Sequence, residues 1–295
     1  MKSIHQRVIV PLSAPLAMIA FAANSILCRM ALEAGHIDAA SFTAVRIFSG
    51  ALMLYGLLYF RARWKEGGSL KGCFGGALSP KGWYSAVSLF VYAAAFSFAY
   101  VMLDAGMGAL ILFAAVQITM IGAGIRQGER LTLSDWLGVA LAVCGLVYLL
   151  LPGTHAPPLG ASALMALAGV AWGLYSLKGR GAVNPTINTA QNFLRALPLA
   201  IGLIIVYLPD MEMNMRGFIL AALSGALASG LGYVIWYAAL TNLRAVQASV
   251  LQLTVPPLAA LGGIVFLGEA VTLRLLLASI LILGGVAITI FRAGK

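Results

Sequence analysis

The chain has 295 residues, of which 61% are hydrophobic and only 9% charged, where a soluble domain of this size carries about 25% charge. A single soluble core stops growing near ~250 to 300 residues, so a mean hydropathy of +0.96 excludes a water-soluble fold and makes the bilayer the solvent. The net charge of +10 sits on Lys and Arg in short loops between apolar runs, not on one clustered face, which excludes a nucleic-acid partner.

A crossing helix needs ~20 mostly apolar residues. The first such segment, 8–30, holds the polar Asn24 and Ser25 and the cation Arg29. Those groups argue against reading it as a cleaved signal peptide. The second, 41–60, places Thr43, Arg46 and Ser49 on one helical face. An arginine at a helix centre costs about 2.5 to 3.5 kcal/mol on insertion scales, so Arg46 requires a reason. After a longer basic loop at 61–82, the third segment, 83–103, repeats Tyr92, Phe96 and Tyr100 at intervals of four. The fourth, 106–125, buries Gln117 and Thr119 in an apolar run, and the fifth spans 134–151.

The sixth segment, 159–178, contains Trp172-Gly173-Leu174-Tyr175 followed by Arg180. On the seventh, 186–208, the residues Asn188, Gln191, Asn192 and Arg195 form a polar stripe at spacings of three and four. The eighth, 217–240, carries Tyr233, Trp236 and Tyr237. The ninth, 244–266, contains Gln252 and Thr254 and then Pro256-Pro257, which removes backbone donors and predicts a kink or hinge near mid-helix. The tenth is 273–291. Long apolar runs without period-two alternation exclude a barrel, so each span is expected to be a helix.

The segments join into two copies of one pattern. GERLTL at 128–133 recurs as GEAVTL at 268–273. Gly122, Leu137, Leu141 and Gly145 keep the same separation from Gly262, Leu277, Leu281 and Gly285 as Glu129 keeps from Glu269. Phe21 to Arg29 likewise parallels Trp172 to Arg180, and Arg46 parallels Arg195 on the second helices. The expected architecture is an all-α membrane protein of ten transmembrane helices. It forms two inverted five-helix repeats, residues 1–151 and 158–295, because an odd helix number turns the second copy over. With both termini in the cytoplasm, fourteen of the nineteen Lys and Arg residues fall inside, and Glu33, Asp38, Asp104, Asp210, Glu212 and Glu269 fall outside. The location expected is a bacterial inner membrane.

The two halves, the Phe21–Arg29 and Trp172–Arg180 patterns, the paired arginines and the two Gly-Glu turns together resemble the EamA family of the drug/metabolite transporter superfamily, across essentially the whole chain. The resemblance departs from the usual first-helix pattern at Phe21 and Ala22, where Trp and Gly are commoner. It implies a ten-helix carrier whose first, third and fourth helices of each half line a central cavity, and bacterial relatives that are mostly exporters of amino acids and other metabolites. Inverted repeats around a midplane site are a recurring transporter design.

The residues themselves nominate Asn24, Phe96, Gln117, Tyr175, Tyr233, Trp236 and Gln252 for a substrate cavity, Arg46 and Arg195 as intramembrane charges, and Pro256 and Pro257 as a hinge. Each has a structural alternative: the cations can clamp helices together, and the aromatics can form a packing or lipid-facing stripe. A capping and turn role is favoured for the Gly-Glu turns over proton carriage, with Thr132 and Thr272 suited to start the next helices. No span centre contains Asp, Glu or His, which argues against a proton antiporter built on a buried carboxylate and leaves coupling through Asp104 or Glu269 open. Cys28, Cys73 and Cys144 have neither paired nor ligand spacing, so no metal, cofactor or disulfide is expected. With no GxxxxGK[ST] and no convergent catalytic set, an ATPase or membrane enzyme is not indicated. The expected activity is export of amino acids or related small metabolites by alternating access. The alternative is an uptake carrier or exchanger for an anionic or vitamin-like solute bound by Arg46 and Arg195. The partners expected are the small-molecule substrate and membrane lipid, in a monomer or homodimer.

Overall fold

The computed structural model describes residues 2–64, 82–128, 132–151, 156–180, 182, 184–240, 248–249, 251–270 and 272–292. Cys73, the Glu129-Arg130 part of the first Gly-Glu turn, and the loop cations Lys65, Lys71, Lys81, Arg244 and Lys295 lie outside the described residues.

Among the described residues the regular elements are helices, with one isolated antiparallel bridge between Ile37 and Met213. The helices are α1 (Lys2–Glu33), α2 (Ala39–Trp64), α3 (Trp83–Tyr100), α4 (Ala105–Arg126), α5 (Leu133–Leu150), α6 (Leu159–Gly179), α7 (Pro185–Tyr207), α8 (Met215–Leu223), α9 (Gly232–Leu240), α10 (Val255–Leu267) and α11 (Leu273–Arg292). A π-helical stretch, Ser224–Leu231, joins α8 to α9, so Met215–Leu240 runs as one apolar rod. Seven helical segments are long and apolar enough to cross a membrane, and three shorter apolar ones lie at Leu133–Leu149, Gln252–Leu267 and Leu273–Gly285. Large apolar side chains such as Leu52, Phe60, Ile205, Val206, Val265 and Phe266 point outward. Water would penalise that surface, and hydrocarbon does not.

The two halves of the chain interlock rather than sit side by side. α3 and α4 of the first half pack on α6 of the second, and α9 and α10 of the second pack on α1 of the first. α2 also packs on the π-helical stretch, as α3 packs on α7, and the other main pairings join corresponding helices, α2 with α7, α4 with α10 and α5 with α11. Each of these contacts has its partner under exchange of halves. Small residues allow the closest approach. A Cβ on Gly225, in the π-helical stretch, would lie 2.0 Å from Ser49 Oγ and 2.2 Å from the Arg46 carbonyl oxygen on α2.

Helix ends are built as the sequence signals. Thr132 and Asp135 form a reciprocal capping box at the start of α5, and Thr272 Oγ1 accepts from the Leu275 amide at the start of α11. Gly268 ends α10 in the left-handed conformation, φ 67°, where a side chain would be strained. The ninth apolar segment changes from α to 3-10 geometry just before the two prolines. A 3-10 turn at Gln252–Thr254 precedes α10, and Pro256 and Pro257 fall in its first turn, where missing amide donors leave no intrahelical bond unmade.

One end of the bundle is tied shut by contacts between distant segments. The link after α1 pairs with the link after α7: the Asp38 amide donates to the Glu212 carbonyl at 2.8 Å, and the Asn214 amide donates to the His36 carbonyl at 2.9 Å. At the same end Arg274, opening α11, donates to the carbonyls of Leu149 and Leu151, closing α5.

Candidate functional site

Arg46 lies 1% exposed about two turns into α2 and is held by neutral groups. Its Nε donates to Ser229 Oγ at 2.9 Å, and Nη2 donates to the hydroxyls of Tyr92 at 2.8 Å and Tyr233 at 2.9 Å. Its guanidinium stands 4.9 Å from the ring centroids of both Tyr92 and Phe96. The π-helical stretch supplies two of the polar contacts here: Ser229 meets Arg46, and Ser224 donates to Asn24 Oδ1 at 2.5 Å. Asn24 Nδ2 in turn donates to Tyr92 Oη at 3.2 Å. Among the described residues no carboxylate pairs with Arg46, and its Nη1 has no hydrogen-bond partner. This is a desolvated cation whose charge is spread over hydroxyls and ring faces and is not neutralised.

Around this network the aromatic residues form a solid core. Phe21, Trp172, Tyr175, Tyr233 and Trp236 contact one another edge to face or tilted, at centroid distances of 4.7 to 6.3 Å. Trp172 Nε1 donates to Gln252 Oε1 at 2.7 Å, and Gln252 Nε2 donates to the Ala248 carbonyl at 3.2 Å. The sequence suggests a cavity wall for Phe96, Tyr233 and Trp236. The structure instead packs these rings side chain on side chain, because mutually offset aromatic faces fill the space between α1, α3, α6 and α9. Gln117 is also buried, with neither side-chain atom hydrogen-bonded among the described residues, and Trp236 Nε1 is in the same condition.

A polar cavity of about 340 Å³ opens beneath this core, at the end of the bundle opposite the tied links. It gathers the starts of α3 (Gly82, Ser85) and α7 (Pro185), the end of α6 (Lys178) and the stripe Asn188, Gln191, Asn192 and Arg195. The resemblance implies walls from the first, third and fourth helices of each half. The cavity here draws on α3, α6 and α9, which are first and third helices of the two halves, and adds the seventh segment, because that helix turns its polar face inward. Arg195 Nη1 donates to Asn192 Oδ1 at 3.3 Å. Its guanidinium lies over Gly82, where a Cβ would come 2.1 Å from Cζ. Tyr237 reaches the cavity from α9 and donates to the Tyr175 carbonyl at 3.2 Å. The Tyr175 side chain is 1% exposed, and its hydroxyl lies toward Asn192, Tyr237 and Thr189. No sequence signal marks Gly82 as the seat of Arg195, since the two lie on different halves and only the fold brings them together.

The opposite end carries an ion-pair cluster. Arg29 sits 3.2 Å from Glu33, 3.6 Å from Asp104 and 3.7 Å from Glu269. It also donates to the carbonyls of Tyr100 and Val101 at the end of α3. Glu269 accepts from the Ala105 amide through both carboxylate oxygens, at 2.8 and 3.0 Å, and so caps α4 across the two halves. Burial pushes the Glu269 carboxyl above its ordinary range, and the neighbouring Asp104 and Glu33 add to the rise, against the Ala105 amide and Arg29. No group of His, Cys, Asp and Glu among the described residues could hold a metal ion.

Comparison with known proteins fits this architecture. The model of the EamA-like transporter family matches twice, at residues 9–151 and 159–291. The chain is 53% identical over 273 residues to an uncharacterized protein of Pseudomonas aeruginosa, covering 92% of this chain and 91% of that one. It is 29% identical over 200 residues to an uncharacterized transporter of Archaeoglobus fulgidus, covering 64% and 69%. It is 24% identical over 192 residues to a "probable terminal-alkyne amino-acid exporter" of Streptantibioticus cattleyicolor, covering 62% and 63%. One solved crystal structure shares the fold with a TM-score of 0.69 at 19% identity, covering 95% of this chain and 99% of that one. Two matches of one family model span nearly the whole of a multi-pass helical chain, and the protein therefore belongs to the EamA-like transporter family, whose members are transporters and not enzymes.

Proposed function

We propose that this transporter exports amino acids or related small metabolites across the bacterial inner membrane, by alternating access between two inverted five-helix repeats with both termini in the cytoplasm. The observation that carries the reading is the asymmetry of the two ends: a polar cavity stands open at one and an ion-pair cluster closes the other. A carrier in its inward-facing state has this form, provided the tied end is the outer one. The Lys and Arg bias supports that provision, since Arg61, Arg63, Arg126, Lys178 and Arg180 lie at the open end, against Arg29, Arg216 and Arg274 at the closed one.

The ten crossings are the seven long helical segments and the three shorter ones, in two units of five, residues 1–151 and 158–295. Inversion is supported by helix direction. α1 finishes at the closed end, where Arg29 meets the end of α3, and its counterpart α6 finishes at the open end, beside the start of α3. In the opposite state the packed core would part, and Asn24, Phe96, Gln117, Tyr175, Tyr233, Trp236 and Gln252 would line the route, with the 3-10 turn before Pro256 and Pro257 absorbing the backbone change. The unbonded amide of Gln117 and indole of Trp236 support this role, since groups that donate to substrate in one state stand idle in another. The amino-acid class is supported by the exporter of Streptantibioticus cattleyicolor among the relatives.

The test is efflux from cells loaded with amino-acid dipeptides, with and without the protein and its Trp236→Ala variant. Faster loss of particular amino acids that disappears in the variant is the expected result; unchanged efflux of every amino acid overturns the exporter reading. The two cations of the cavity, Lys178 and Arg195, favour a second reading, uptake or exchange of an anionic solute. That reading requires accumulation of an organic anion, not loss of an amino acid.

A further inference from the structure

We infer that the cavity around Arg195 is a carboxylate-binding site: Arg195, Lys178 and the start of α7 receive the carboxylate of the transported solute, and Arg46 is the matching station of the opposite state. The inference rests on the transporter reading above and names the group by which the substrate is recognised.

Charge complementarity comes first. The cavity's charged lining residues are Lys178 and Arg195, and no acidic side chain lines it among the described residues. The first turn of α7 also faces it through Pro185, adding the positive end of a 23-residue helix. A planar guanidinium held at its rim by Asn192 and seated on Gly82 presents a fork suited to a carboxylate.

The second observation is Arg46. It occupies the corresponding second helix, sealed under Tyr92, Phe96 and Tyr233, with Nη1 unbonded and no counter-ion among the described residues. Under exchange of inverted halves Arg195, at the cavity, and Arg46, in the packed core, trade environments, so one anion meets an arginine on each side of the cycle.

The test uses the full chain purified into lipid nanodiscs and two matched pairs of probes, N-acetyl-L-leucine with N-acetyl-L-leucinamide and N-acetyl-L-phenylalanine with its amide. At about a hundredfold excess over Kd the acids should raise Tm by about 4 °C, and the amides should not. Arg195→Gln should abolish the shift and Arg195→Lys should retain part of it. Should Arg195→Gln fail to fold, Lys178→Gln, at an exposed position, should weaken acid binding about tenfold. Equal stabilisation by acids and amides, stabilisation by inorganic phosphate alone, or an undiminished acid shift in these variants overturns the site. A carboxylate-specific shift without efflux of any amino acid would sink the exporter reading and leave the site standing. Efflux without such a shift does the reverse.

Discussion

Arg46 and Arg195 are interchangeable on paper and opposite in space. Both interrupt apolar runs at corresponding positions, and transfer cost alone makes each conspicuous in the sequence. Their partners are not legible there, because Tyr92 and Tyr233 reach Arg46 across 46 and 187 residues and nothing in composition encodes such pairings. The Asn188 to Arg195 stripe is legible as one face, since helical period fixes it, whereas its pairing with Gly82 depends on how the halves dock. Trp172 illustrates a side chain whose polar tip matters as much as its bulk. Trp172→Phe keeps the aromatic contacts but leaves Gln252 Oε1 buried without its donor, and the expected loss is about 1 to 3 kcal/mol in thermal or denaturant unfolding. An unchanged stability would mean that Gln252 finds another donor.

At the scale of elements, the helices follow from apolar length, and the breaks follow only where chemistry marks them. The prolines at 256 and 257 announce the interruption before α10, while the π-helical stretch Ser224–Leu231 reads in sequence as ordinary small-residue packing, because one extra residue per turn leaves no compositional trace. That stretch needs Gly225 against the α2 backbone. Gly225→Ala must push Arg46 and Ser49 away and is expected to cost about 1 to 3 kcal/mol, read as a lowered Tm. Glu269 exceeds the turn role its motif suggests: Thr272 starts α11, and the carboxylate reaches across to α4. Its carboxyl is raised in this closed end and returns toward the ordinary range once solvated, so the closed state binds the proton more readily than an open one. Closure at that end therefore strengthens as pH falls toward the carboxylate range and weakens as pH rises through the raised value. Cys28, buried beside Arg29, reports the change in a chain with Cys73 and Cys144 replaced by Ser. The ratio of its labelling by an impermeant maleimide in this chain to that in the Glu269→Gln variant should exceed one at neutral pH and fall to one in acid. A ratio independent of pH would remove Glu269 from this role.

For the whole molecule, the duplication read from GERLTL and GEAVTL anticipates a contact pattern that repeats under exchange of halves. A symmetric sequence cannot say which end stands open, because that is a property of one conformation. The orientation offered above places Ser85 on the cytoplasmic mouth. A Ser85→Cys variant, in a chain with Cys28, Cys73 and Cys144 all replaced, should react with an impermeant thiol reagent in inside-out vesicles and resist it in intact cells; the reverse pattern would invert the topology.

The main-chain bonds between His36 or Asp38 and the Glu212–Asn214 link fasten the start of α2 to the segment that follows α7. A joint so placed acts as a fulcrum, and displacement then grows with distance from it. A tilt of about 10° between α2 and α7 moves their far ends by about 5 Å across a hydrocarbon layer ~30 Å thick. The leverage falls on the mouth where Gly82 meets Arg195, and spin-label distances there should spread several times more widely than those across the joint.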